Sequence, residues 1–356
     1  MLTVVKQWFQ RYFSNPEASI LLVCVVLGVL AIVFLGSIFA PLLAGLVIAY
    51  LLESIIKPLQ RGFKFPRWLA VTIVYALFIG LVVVGVLVLL PLLWKQFMQM
   101  IGALPQMIRA LQAMIANLPQ QYPNYISDSM VQSLLSSTQV GTGKLASIGA
   151  TFVSYSVNSL PNIFAWLVYL FLVPLLVLFF LKDKQSILHW CSQFIPRERG
   201  LLDNVGHEMK RQLGNYVRGK VIEVIVVAVI TYIGFRIFDL HYAILLAFCV
   251  GLSVIIPYVG MVIVTIPVAV IGLLQFGVTP EFVYMFVVYA VIQALDANLL
   301  VPLLFSEAVN LHPVAIIAAV LFFGSIWGFW GLFFAIPLAT LVKAVITAWM
   351  NHAREV

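Results

Sequence analysis

LHYAILLAFCVGLSVIIPYVGMVIVTIPVAVIGLLQF (residues 240–276) is an apolar stretch broken midway by the helix-disrupting run IPYVG. A counterpart, LHPVAIIAAVLFFGSIWGFWGLFFAIPLATLVKAVI (residues 311–346), opens on the same Leu-His pair and breaks at GSIWGFWG. Each then carries an Ile-Pro pair, Ile266-Pro267 and Ile336-Pro337, so the two align with a single-residue slip. Glycine and proline leave backbone amides and carbonyls unpaired, and at membrane depth such groups persist only where protein or a wet cavity satisfies them. Paired interruptions in corresponding segments therefore point to a binding site of the transporter kind. The expected gating tips are Pro257, Tyr258 and Gly260 in the first segment and Gly324, Gly328 and Gly331 in the second.

The rest of the chain agrees with a membrane setting. Of 356 residues, 63% are hydrophobic and only 9% charged, with mean hydropathy +1.10. Soluble domains run at about 45–50% apolar and about 25% charged. The reading is an all-α polytopic membrane protein of about five full transmembrane helices plus two Gly/Pro-broken hairpins or interrupted helices, seven or eight membrane segments in all. The first apolar run, residues 19–40, follows Lys6 and Arg11 and leads straight into a second at 41–56, so it reads as a retained anchor and not a cleaved signal. On this reading 19–39 and 41–56 are two antiparallel spans. Cys24, Cys191 and Cys249 are scattered and imply no disulfide framework.

Charge reports topology. Lys57, Arg61, Lys64 and Arg67 form an acid-free basic loop, and residues 182–220 hold eight further Lys and Arg, so both stretches are expected on the cytoplasmic side together with the two termini. Residues 95–160 carry only three Lys and Arg, Lys95, Arg109 and Lys144, and are expected outside. The net charge of +7 is spread over loops and not gathered on a soluble face, which argues against nucleic acid. Four regions follow: helices one to three in 1–94, a helical outer segment in 95–150, a long fourth span with a cytoplasmic linker in 151–220, and a transport core in 221–356. If the broken segments are re-entrant hairpins, a single cysteine at position 281 labels from outside intact cells and one at position 306 does not. Labelling at 306 alone would mean crossing helices.

In the outer segment Phe97, Ile101, Leu104, Ile108, Leu111, Ile115 and Leu118 alternate spacings of four and three, a helix seam. It rests either on the chain's own bundle or on a neighbouring protomer of a homo-oligomer, and Pro105 weakens it as a continuous helix.

Polar residues inside apolar helices are costly and default to function. Asp296 lies in QALDAN (293–298), flanked by Gln293 and Asn298, and a carboxyl there can take up and release a proton while the amides bind a polyol or help coordinate a cation. Glu307 and Asn310 sit at the entrance to the second broken segment, where capping is the competing role. On the inner face Asn215, Arg218 and Lys220 either meet lipid headgroups or form a gate ion pair, with Glu223 the nearest partner in sequence. Glu53 reads as structural, pairing with Lys57 at spacing four.

Enzyme signatures are missing: there is no H-E-x-x-H and no G-x-S-x-G, and the histidines do not cluster. Gly141-Thr142-Gly143-Lys144 lacks the first glycine of a phosphate loop, where Thr138 stands, and its Ser or Thr, where Leu145 stands. ATP binding is therefore not expected, nor any cofactor or metal. A secondary transporter moving a small solute or ion is the leading reading, and a membrane scaffold holding envelope or division partners through the outer segment is the competing one.

With residues 41–53 (PLLAGLVIAYLLE), 180–184 (FLKDK), 215–220 (NYVRGK), 256–260 (IPYVG), 293–302 (QALDANLLVP), 304–313 (LFSEAVNLHP) and 327–337 (WGFWGLFFAIP), the chain resembles the AI-2E family of bacterial inner-membrane transporters over nearly its full length. The resemblance implies export of an autoinducer-2-like polyol, or sodium or lithium exchange for protons as in some members.

Overall fold

The computed structural model describes residues 16–121, 160–193, 200–305 and 311–355. Among these every regular element is a helix. Five stretches are long and apolar enough to cross a bilayer: Phe39–Phe63, Arg67–Ala116, Val259–Phe276, Pro280–Phe305 and Pro313–Ala344. The chain is a multi-pass, all-α membrane protein.

The first helix, α1 (Pro16–Phe63), corrects the sequence reading. It is one helix of 48 residues that carries Pro41 and Pro58 inside it, where two antiparallel spans with a turn near Pro41 were expected. A proline costs one backbone bond, which membrane helices tolerate. α2 (Arg67–Val84) passes through a π-turn at Gly85–Leu89 directly into α3 (Leu90–Gln121). α4 (Leu160–Lys182) leads to the short α5 (Lys184–Ser192).

Helices α1, α2 and α4 form the N-terminal bundle around Ile56, Ala70, Val74 and Val177. A clamp closes its basic end. Glu53 does not meet Lys57: its carboxylate accepts from Arg67 Nη1 and Nη2 at 3.3 Å each and from Lys184 Nζ at 2.9 Å, while Arg67 also donates to the Leu181 carbonyl at 3.0 Å. One buried carboxylate thus ties the basic loop and the FLKDK stretch to α1.

The C-terminal part is organised by α6 (Gly200–Ile237), which runs unbroken from the linker into the start of the C-terminal region. It ends where Asp239 takes a positive φ of 47° and Leu240 N–H bonds back to the Phe235 carbonyl at 2.9 Å. This is a Schellman-type stop with aspartate where glycine is usual. The chain then folds into a helical hairpin, α7 (Ala243–Ser253) and α8 (Val259–Phe276), linked through residues 254–258. Gln275 closes its base, accepting from His241 N–H at 2.7 Å and donating to the Asp239 carbonyl at 2.9 Å. At the tip Tyr258 has a φ of 62°, and Gly260 presses its Cα on the Ser253 carbonyl. The arms are unequal, 11 and 18 residues.

α9 (Pro280–Leu295) continues through a second π-turn, Asp296–Leu300, into α10 (Val301–Phe305). The last helical run, α11 (Pro313–Glu355), reverses at Gly328, whose φ of 58° and ψ of −133° suit only glycine. Gly331 there lies against the Phe323 carbonyl, a contact that a straight helix of eight residues forbids. This is a second hairpin. Counted from the two Leu-His pairs, Gly260 and Gly331 occupy the same place, and each is pressed on the end of its hairpin's first arm.

The hairpins have their bases at opposite ends of the bundle. α3 covers the base of the first: Gln96 Oε1 accepts from Leu245 N–H at 2.9 Å, and Met100 and Met107 pack on the core built by Leu246, Val250, Val268 and Tyr289. The seam residues Phe97, Ile101, Leu104, Ile108, Leu111 and Ile115 are all partly buried, and α3 is continuous through Pro105. The Leu118 side chain lies outside the described residues. Near its base, the second hairpin packs Ile316 and Ile336 against Tyr216 and Phe305, at the end that holds the basic segments.

Candidate functional site

Between the two hairpins lies a cavity of about 170 Å³. That is smaller than the roughly 300–1,000 Å³ of a drug-sized pocket, and suits an ion with its waters or a solute of a few carbons. Its walls are Tyr216, Lys220 and Glu223 from α6, Ser253, Val254, Ile256, Pro257, Tyr258 and Met261 from the first hairpin, Gln293, Asp296 and Ala297 where α9 meets its π-turn, Val301 and Phe305 from α10, and Ile316 and Ile336 from the second hairpin. From Pro280 to Asp296 the helix rises about 24 Å, so the cavity sits deep, toward the basic end.

Each wall has a sequence cause. The π-turn places the Asp296 carbonyl opposite the Val301 N–H, which shifts the helix register at the buried acid. Such bulges concentrate at functional sites. Asp296 is 9% exposed, and its Oδ1 has no hydrogen-bond partner within the protein. Gln293, on the same helix face, donates to the Tyr289 hydroxyl at 2.7 Å. That hydroxyl meets Thr265 Oγ1 at 2.8 Å, and Thr265 in turn donates to the Met261 carbonyl at 2.7 Å. Because the threonine proton is committed to Met261, the tyrosine is the donor between the two hydroxyls. The relay fixes α9 to α8 beside the cavity.

On the opposite wall Lys220 and Glu223, 3% and 2% exposed, form an ion pair at 2.7 Å, three residues apart on α6. The ammonium donates a hydrogen bond to the Val254 carbonyl at 3.0 Å. That carbonyl belongs to the C-terminal end of the half-helix α7, where the helix dipole is negative. Lys220 also lies 5.1 Å from the Phe305 ring centroid and 6.0 Å from that of Tyr216. Tyr216 itself donates to the Phe333 carbonyl of the second hairpin at 2.9 Å. The NYVRGK stretch therefore grips both hairpins.

The cavity brings together Asp296, Gln293, Lys220, Glu223, Pro257 and Tyr258 of the sequence-derived candidates. It does not include Asn298, which is exposed and bonds back to the Ala294 carbonyl at 2.8 Å. Asn215 and Arg218 pair with each other at 2.9 Å away from the cavity. Gly260 stands behind the first tip. Gly324, Gly328 and Gly331 form the second tip, but it is the arms of that hairpin, through Ile316 and Ile336, that line the cavity. Glu307 and Asn310 lie outside the described residues. Tyr216, Tyr289, Thr265 and the Glu53 clamp were not singled out as site elements from sequence. For the two tyrosines and Thr265, an i, i+4 spacing to Lys220 or Gln293, or a hydroxyl in an apolar arm, was the available signal.

The chain is similar in sequence to proteins named as permeases or transport proteins. The chain is 47% identical over 349 residues to the protein named "Putative permease PerM" of Escherichia coli strain K12, covering 98% of each chain. It is 28% identical over 325 residues to "Putative transport protein YueF" of Bacillus subtilis strain 168, covering 88% of this chain and 84% of the other. It is 23% identical over 325 residues to "Putative transport protein YrrI" of the same organism, covering 90% and 88%. Residues 1–351 match the family described as AI-2E family transporter, and the chain belongs to that family.

Proposed function

We propose that the protein is a secondary transporter of the bacterial inner membrane in which Asp296 couples the passage of a small polar solute, such as an autoinducer-2-like polyol, to protons or sodium. The observation that carries this reading is the buried Asp296 carboxylate with an unpartnered oxygen, facing a cavity between the two hairpins. The Lys220–Glu223 pair is neutral as a unit, so an ionised Asp296 leaves the cavity one charge negative and open to one monovalent cation or proton. The same surplus, with the small cavity, supports a second cargo, sodium or lithium exchanged for protons. In either case the first tip gates from the side of α3, and the arms of the second hairpin gate from the basic side. The basic side faces the cytoplasm by the distribution of Lys and Arg.

The test is proton flux in energised inverted vesicles holding the purified protein, challenged with sodium, lithium or the polyol. Wild type responds to one of them, and Asp296→Asn, folded and inserted to the same level, loses at least tenfold of that response. Equal coupled flux in both proteins removes Asp296 from the mechanism.

A further inference from the structure

A second recess, of about 440 Å³, opens at the basic end between α1 and α6, lined by Tyr50, Glu53, Ser54, Lys57, Pro58, Arg61 and Arg218. Tyr50, Ser54, Lys57 and Arg61 recur at spacings of three and four, so one face of α1 presents them all. Arg218 comes from α6, which approaches so closely that the Tyr50 hydroxyl abuts Gly214. The single carboxylate in the lining, Glu53, is already held by Arg67 and Lys184 from behind. Lys57 and Arg61 have no carboxylate partner among the described residues.

Arg218 is pre-positioned. Its guanidinium lies 5.8 Å from the Tyr50 ring centroid, its Nε donates to the Gly214 carbonyl at 3.1 Å, and one Nη2 hydrogen goes to Asn215. Three of its five N–H groups remain for a ligand. Three cations thus converge on a recess whose only acid is spent, and two of them are arginines, whose planar forks match phosphate oxygens.

We propose that this recess is a binding site for a phosphate-bearing anion, separate from the cavity at Asp296. Its position at the membrane's basic end makes both an anionic phospholipid headgroup and a soluble phosphate compound accessible sources, and the chemistry that recognises them is the same.

The experiment uses the full-length protein in a neutral detergent. Native mass spectrometry follows phosphatidylglycerol and, as a neutral-headgroup control, phosphatidylcholine, and ligand-shifted melting follows inorganic phosphate and glycerol 3-phosphate. Two double variants remove the same charge: Lys57→Gln with Arg61→Gln inside the recess, and Lys64→Gln with Lys182→Gln elsewhere on the basic end. The expected result is at least a tenfold loss of anion affinity in the first pair and less than twofold in the second, with phosphatidylcholine unaffected. Adding Arg218→Gln to the first pair deepens the loss. Retention of phosphatidylglycerol alone identifies a lipid site, and saturable melting shifts with glycerol 3-phosphate identify a soluble ligand. Equal losses in the two pairs mean diffuse attraction and overturn the proposal, as does the absence of binding from either source.

Discussion

Lys220→Met destabilises the folded protein by about 3–5 kcal/mol and leaves no coupled flux. Removing one partner of a buried ion pair strands the other, and Glu223 is only 2% exposed. The Val254 carbonyl loses its donor at the same moment, so the first tip loosens. The double variant Lys220→Met with Glu223→Met recovers most of that stability, since apolar side chains of similar size replace a buried pair at little cost. It does not recover flux, because the tether to Val254 is still missing. Denaturant unfolding in detergent, paired with flux, reads both quantities. A single variant that costs less than about 1 kcal/mol would place the pair in contact with bulk water, where ion pairs are worth that little.

Valine at Gly260 or at Gly331 prevents its hairpin from closing. In each case an added Cβ lands on a main-chain carbonyl, of Ser253 or of Phe323, and a backbone atom cannot swing aside as the end of a side chain does. Overpacking of this kind costs about 1–3 kcal/mol where the surroundings can shift and more where they cannot. We expect both variants to fall at or beyond the upper end and to lose flux. Gly80→Ala is the control, because nothing lies within 4 Å of its Cβ position. It should be neutral or stabilising by up to about 1 kcal/mol, since alanine favours a helix over glycine. If Gly260→Val and Gly331→Val melt with Gly80→Ala, the close approaches do not exist in the membrane.

The sequence announced the membrane class, the two interruptions and Asp296 because each is a local conflict: an apolar stretch broken by glycine and proline, or an acid inside an apolar helix. Features that depend on distant partners were not visible. Glu53 finds Arg67 and Lys184 across the fold, and nothing in the spacing of these residues favours them over Lys57. Pro41 reads as a turn in a string of letters, yet α1 carries it inside a helix. Asn298 looked like a neighbour of Asp296, but two positions on in the π-turn it is exposed and bonds back to the Ala294 carbonyl, away from the cavity. The second reversal falls at Gly328, while the residues of that hairpin that reach the cavity, Ile316 and Ile336, carry no signal beyond being apolar.

Tyr216 and Lys220 are one helical turn apart on α6, and each holds a different hairpin by a main-chain carbonyl. If the hairpins move as proposed, both are leashed to the same turn of one rod. A displacement of that turn that slackens one leash draws on the other, so the arrangement with both hairpins withdrawn is the one the rod opposes most. A pore open from end to end would need that arrangement, and a membrane that lives on its ion gradients cannot tolerate one.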